Sequence, residues 1–196
     1  MPRIDPIAET EISEEIRERF VFIEQVMGFV PNSLKTMARI PGLVKAFTDL
    51  SSVVLGNDIL PAELRSMVSL MVSSGAECRY CQAHSTSSAA RAGVSDQKLS
   101  DIWNFETSDL FPEPERVALR FAFHAGQIPN AVTDQDMEAL REHYDEQEIT
   151  SIVSICSLFG YLNRWNDTMA TQLEEHPKDF SSKILGPRGW ESGKHS

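Results

Sequence analysis

Two cysteines three apart, in Cys78-Arg79-Tyr80-Cys81, with His84 three residues further on, are the side chains best suited to do chemistry. A Cys-x-x-Cys pair at the start of a helix puts both sulfurs on one turn, within reach of a disulfide. The free N–H groups and dipole of the helix N-terminus stabilise a thiolate there and lower its pKa. Such a thiolate attacks a peroxide or a disulfide, and the second thiol resolves the product into an internal disulfide. Arg79 adds positive potential, and His84, one helical turn beyond Cys81, is placed to accept or relay a proton.

Two blander readings of the same residues stay open. A structural zinc centre would take Cys78, Cys81, His84 and a fourth ligand, but no second Cys-x-x-Cys occurs and His124, His143 and His176 stand alone. The pair could equally be inert buried thiols. Cys156, in an apolar stretch, reads as a small core residue, and His124, behind Phe121 and Phe123, as a satisfied core histidine.

The elements that must hold these groups are helices. Over 12–27, Ile12, Ile16, Phe20, Ile23 and Met27 form one stripe with Glu and Arg between them. Gly28 to Ser33 breaks that helix, and Asn32 or Ser33 can cap the next. Pro41 opens a helix to about Leu55, and Pro61 suits the first position of one through about Ser74. A break at Gly75-Ala76-Glu77 precedes the dithiol helix, which stops near Gly93. Further helices are predicted from Ser95, from Pro112 to about Ala125, from Thr133 to Tyr144, and over 146–173. Alternating Val/Ile/Thr segments are absent, so the fold class is an all-α bundle. Residues 1–176 read as a single helical domain and 177–196, rich in Gly, Lys, Ser and Pro, as an irregular C-terminal arm.

Shifted by 85 positions, the chain matches itself: Glu63 meets Glu148, Ser66 meets Ser151, Gly75 meets Gly160 and Arg79 meets Arg164. Tyr80 then falls on Trp165, and Cys78 and Cys81 fall on Asn163 and Asn166. This suggests an internal duplication relating 63–82 to 148–167, two copies of one helix-pair unit. The dithiol repeat covers about 41–93 and the degenerate one about 113–173. Asn163, Arg164, Trp165, Asn166 and Asp167 then read as a buried polar network, with Arg164–Asp167 and Asn163–Asp167 pairs. Alternatively Tyr80, Asn163 or Trp165 forms a pocket wall facing the dithiol.

The 196 residues suffice for one core, and a formal charge of -11 argues against nucleic-acid binding. No stretch approaches the roughly 18 apolar residues a membrane span needs. Residues 1–13 carry acids where a signal peptide needs a basic head, so a cytoplasmic location is expected. In a reducing compartment three cysteines are no disulfide framework. Without a nucleotide-phosphate loop, no NAD, FAD or ATP is expected, nor any other cofactor or resident metal.

The block Cys-Arg-Tyr-Cys-Gln-Ala-His-Ser, followed by small residues and Gly93, resembles the core of the AhpD-like, carboxymuconolactone decarboxylase superfamily, and most closely its peroxidase-related members. Phe29-Val30-Pro31-Asn32 and Asn163-Arg164-Trp165-Asn166-Asp167 are similar to segments of those proteins. The resemblance implies an AhpD-like helical bundle forming dimers, trimers or hexamers. It implies an enzyme that reduces hydroperoxides, or the disulfide of a peroxiredoxin-like partner, recharged by an external dithiol. It also implies that Cys81 is peroxidatic and Cys78 resolving, whereas the dipole alone favours Cys78 as the more acidic. The family's glutamate and second histidine are replaced here by Ser66 and Ser85. Glu63 and His84 are the candidates to take their place in a catalytic set with Cys78 and Cys81, the other reading of Glu63 being a first-turn acid suited to the helix dipole. Alternatives are a lactone decarboxylase of the same superfamily and a non-catalytic oligomeric scaffold that senses redox state or binds a ligand.

Overall fold

The computed structural model describes residues 1–196 and contains ten α-helices and no strand, an all-α bundle as expected. The helices are α1 (Glu14–Met27), α2 (Asn32–Met37), α3 (Leu43–Leu55), α4 (Ala62–Gly75) and α5 (Arg79–Arg91). After these come α6 (Asp96–Ser100), α7 (Glu113–Gly126), α8 (Asp134–Arg141), α9 (Glu146–Met169) and α10 (Glu175–Ile184). No helix is long and apolar enough to cross a membrane.

Helix α4 lies at the centre, against α5, α7 and α9. Its residues Met67 to Ser73 are buried without interruption, as expected of a helix enclosed on every side. Close approach to α7 rests on two glycines. A Cβ on Gly75 would run into the Phe123 carbonyl oxygen, and one on Gly126 into the Val72 carbonyl oxygen. Backbone is what each would strike, so neither neighbour can swing aside. Gly126→Ala should therefore destabilise the fold by roughly 1–3 kcal/mol, the usual cost of overpacking. A fall in the urea midpoint with an unchanged slope would show it. An unaltered midpoint would mean that α4 and α7 do not meet as described.

Caps explain most boundaries. Ser95, Thr133 and Asp145 each accept a backbone N–H at the start of α6, α8 and α9, the last two as complete capping boxes. At α2 the expected cap is absent. Pro31 occupies the cap position, and Asn32 turns its amide towards the Gln172 carbonyl oxygen.

Three expectations need correcting. First, 177–196 is no irregular arm. Residues 175–184 form α10, short 3-10 turns follow at 186–188 and 193–195, and Trp190 and His195 are buried. The backbone N–H of Leu173 donates to the His195 carbonyl oxygen at 2.8 Å, tying the end of the chain to the body. Second, the two similar segments are not two helix pairs. α4 and α5 are separated by a turn, whereas 148–167 lies within the single helix α9. The shared glycine does different work in each: Gly75 is wedged against α7, while nothing stands near a Cβ placed on Gly160. Third, Arg164 is exposed and neither predicted pair forms. Asp167 bonds Lys194 at 2.7 Å instead.

Candidate functional site

The turn between α4 and α5 places the dithiol. Glu77 takes a left-handed conformation (φ 56). The Cys78 N–H then donates to the Ser73 carbonyl oxygen at 3.1 Å, and that of Glu77 to the Ser74 carbonyl oxygen at 3.1 Å. This is a Schellman ending, with glutamate where glycine is usual. It reverses the chain so that Cys78 caps α5 and Cys81 sits in its first turn. Both cysteines are free thiols and buried.

One stripe of α5, formed by Cys81, His84, Ser85 and Ser88, faces a cavity of about 900 Å3. The opposite walls come from α1 (Phe22, Ile23, Met27), α3 (Phe47, Ser51, Leu55), α4 (Arg65, Ser66, Ser69) and α9 (Phe159, Leu162, Asn166). Tyr80 lines it too. Cys78 does not. The two thiols thus differ in access: Cys81 reaches the cavity and Cys78 stands behind it.

Burial pushes the Cys81 thiol well above its ordinary value. The neighbouring Cys78 adds to this, as does the charge of Asp167, while a hydrogen bond from the Asn166 side chain works the other way. The Asn166 amide donates to Cys81 Sγ at 3.5 Å. The acidic thiol expected from the helix dipole is therefore not what the structure gives at Cys81. Removal from water outweighs the helix terminus there. Cys156 is likewise buried, its thiol pushed up to about 12 by desolvation.

The groups beside the thiols converge on Glu174, at the N-cap of α10. His84 Nε2 lies 2.7 Å from Glu174 Oε2. The Tyr80 hydroxyl donates to Oε1 at 2.9 Å, and the Asn32 N–H to the same oxygen at 2.5 Å. Tyr80 stacks on the His84 ring at 4.4 Å, and Phe29 meets its edge at 5.6 Å. Burial alone would raise the Glu174 carboxyl, but the hydrogen bond and charge of His84 and the Asn32 N–H outweigh it, leaving it below its ordinary value. Burial and the Glu174 charge hold the Tyr80 hydroxyl well above its own. With the bond to Glu174 fixing Nε2, Nδ1 of His84 is the nitrogen left to exchange protons.

Of the residues singled out from sequence, Cys81, His84 and Tyr80 meet at this cavity. Glu63 does not. It is exposed at the start of α4, next to Gly93, and lines no part of the cavity. Asn163 is buried with both amide atoms unpartnered, and Trp165 packs beside Phe20 and Val44. Neither lines the cavity; their neighbour Asn166 does. That much was readable in part, since Asn166 is the residue that falls on Cys81 in the 85-residue match, and the two touch. Glu174 carried no such signal. Ninety positions separate it from His84, and it sits in no recognisable spacing. His84 is taken up by Glu174, and no three His, Cys, Asp or Glu side chains cluster as metal ligands. His124 pairs with Asp136 at 3.1 Å.

Residues 41–123 match the carboxymuconolactone decarboxylase family. The debrominase Bmp8 has the same fold at a TM-score of 0.85, with 32% identity over 92% of this chain and 97% of that one. The chain belongs to the AhpD-like, carboxymuconolactone decarboxylase superfamily. A peroxidase-related protein with an AhpD core from Ralstonia eutropha JMP134 shares the fold at a TM-score of 0.80, at 24% identity over 94% and 96% of the two chains. In Escherichia coli the uncharacterised protein YnjA is 33% identical over 107 residues, 54% of this chain and 58% of YnjA. Bmp8 is also known as a cysteine-to-alanine variant in complex with 2,3,4-tribromopyrrole. The superfamily thus includes enzymes, and its matched segment spans α4 and α5, which carry the dithiol.

Proposed function

We propose that this protein is a dithiol reductase that consumes an apolar organic hydroperoxide, with Cys81 attacking and Cys78 resolving. The observation that carries the reading is the unequal access of the two thiols: Cys81 forms part of the cavity wall, and Cys78, buried beside it on the same turn, does not. In the first step the Cys81 proton passes to His84. The thiolate then attacks the terminal peroxide oxygen, an S–O bond forms, the O–O bond breaks, and the departing alkoxide takes that proton as an alcohol. In the second step Cys78 attacks the Cys81 sulfenic acid. The S–S bond forms, the S–O bond breaks, and the hydroxide leaves as water with the Cys78 proton. An external dithiol reopens the disulfide by exchange and is itself oxidised.

A second reading rests on the likeness to Bmp8. Here the electrophile is the bromine of a bromoarene. Cys81 takes the halogen, the ring carbon takes the proton from His84, and Cys78 closes the disulfide with release of bromide. Both readings use the same two electrons and the same proton. Lactone decarboxylation needs no thiol pair, and a thiol in the cavity wall speaks for redox chemistry.

The test is a titration. The reduced protein has three thiols. One equivalent of cumene hydroperoxide should remove two of them, measured after denaturation, with a Cys78–Cys81 disulfide found by mass spectrometry. Loss of no thiol, or of Cys156 alone, would overturn the reading. Two thiols lost with 2,3,4-tribromopyrrole, together with one bromide released and no reaction with the peroxide, would favour the second reading.

A further inference from the structure

Three hydroxyls around the cavity are satisfied by their own helices. Ser69 donates to the Arg65 carbonyl oxygen and Ser51 to that of Phe47, both at 2.8 Å, and Thr48 donates to that of Val44 at 2.8 Å. Such i−4 bonds are the default for a serine or threonine inside a helix. Ser85 departs from it. Its side chain is 2% exposed, and its oxygen has no partner. It lies on the cavity face of α5, one turn beyond Cys81. Asn166 repeats the pattern from the opposite wall. It is 1% exposed, its amide nitrogen serves Cys81, and its Oδ1 is unpartnered.

Buried polar groups find partners, and leaving them without one costs free energy. Two unpartnered oxygens on residues that line one cavity, one a helical turn beyond Cys81 and the other on the side chain that bonds its sulfur, suit a ligand that carries a donor. Most of the surface that the lining presents is apolar, with Leu34, Phe159 and Leu162 among it, although Glu15, Glu18, Arg19, Asp49 and Arg65 line it too. Few polar groups placed within an apolar wall are what orient a small organic ligand.

We infer that Ser85 Oγ and Asn166 Oδ1 form a recognition site for the O–H or N–H donor of an apolar, ring-sized organic substrate, and hold that donor next to Cys81. This rests on the reductase reading for its biological meaning and deepens it by naming the substrate class. With the neutral oxygens of Ser85 and Asn166 as acceptors, the site selects neutral donors. It discriminates against an alkylated counterpart, because alkylation removes the donor that the Asn166 oxygen needs and adds bulk. Ser85 stands where the superfamily resemblance places a histidine, so a proton-transfer position has become a recognition position.

Binding separates this inference from the redox reading, because binding needs no turnover. Cumyl alcohol and cumyl methyl ether share one ring and differ only by replacement of O–H with O–CH3. Calorimetry on the reduced full chain should show the alcohol binding about tenfold more tightly than the ether, a ratio one hydrogen bond supports. In Ser85→Ala the ratio should shrink to about threefold or less, with the far-ultraviolet spectrum unchanged. Equal binding of the two by the wild type, no binding of either, or an undiminished ratio in Ser85→Ala would each overturn the inference. If instead the binding ratio is as expected and cumene hydroperoxide removes no thiols, the recognition site stands and the reductase reading fails.

Discussion

Cys81→Ser should lose turnover by roughly 10³-fold or more, the scale seen when a nucleophile is removed. Cys81 is the one thiol that lines the cavity; the other sulfur there, that of Met27, would stop at a sulfoxide and form no disulfide. Cys78→Ser should fail differently. It keeps the attacking thiol and lacks the resolving one, so one equivalent of cumene hydroperoxide should leave a sulfenic acid on Cys81, trapped by dimedone and seen in the mass spectrum. A dimedone adduct on Cys78 of the Cys81→Ser protein, formed as fast as the reverse, would invert the roles. The pH dependence follows from the raised Cys81 thiol, whose first cause is burial. The reactive thiolate becomes more populated as pH rises towards that raised value, so kcat/KM should climb from neutral into alkaline solution rather than level off below pH 7.

Glu174→Ala should be the most damaging change away from the thiols. It removes the acceptor of three hydrogen bonds at once, from Asn32, Tyr80 and His84, in a pocket where the carboxylate side chain is only 12% exposed. Leaving these buried donors without their acceptor costs about 3 kcal/mol or more in total, and for a chain of this size that lowers Tm by about 10 °C. The wild-type pair also sets an acid limit. A carboxyl held below its ordinary 4.5 contributes stability that is present above pH 4.5 and is lost as the pH falls further. Thermal melts from pH 7 down to 3 should show that loss in the wild type, and it should be smaller in Glu174→Gln.

Glu174 is a positioning residue. It acts through His84, so Glu174→Gln should lower kcat by about 10- to 100-fold with KM little changed. An equal rise in KM would place it instead at the substrate. Retained kcat with lowered stability would reduce it to a strut between α2, α5 and α10.

Much of this molecule was legible in the chain. The 3.6-residue periodicity, the proline and glycine breaks and the Ser95 and Thr133 caps locate the helices to within a few residues, because each is a local property of the backbone. The Cys-x-x-Cys-x-x-His spacing alone puts Cys81 and His84 on one helical face. What the spacing could not convey is which way that face looks and what else arrives there. Whether a thiol is acidic depends on how much water surrounds it, and burial at Cys81 reverses the sign expected from its place on the helix. Glu63 matched by local logic and points to solvent. The carboxylate that holds His84 comes from ninety residues away, brought in by a C-terminal helix that composition alone suggested was loose. The chemistry was written in residue types, but the choice of partners was made by packing, since hydrogen bonds and desolvation act through space and leave no period in a sequence.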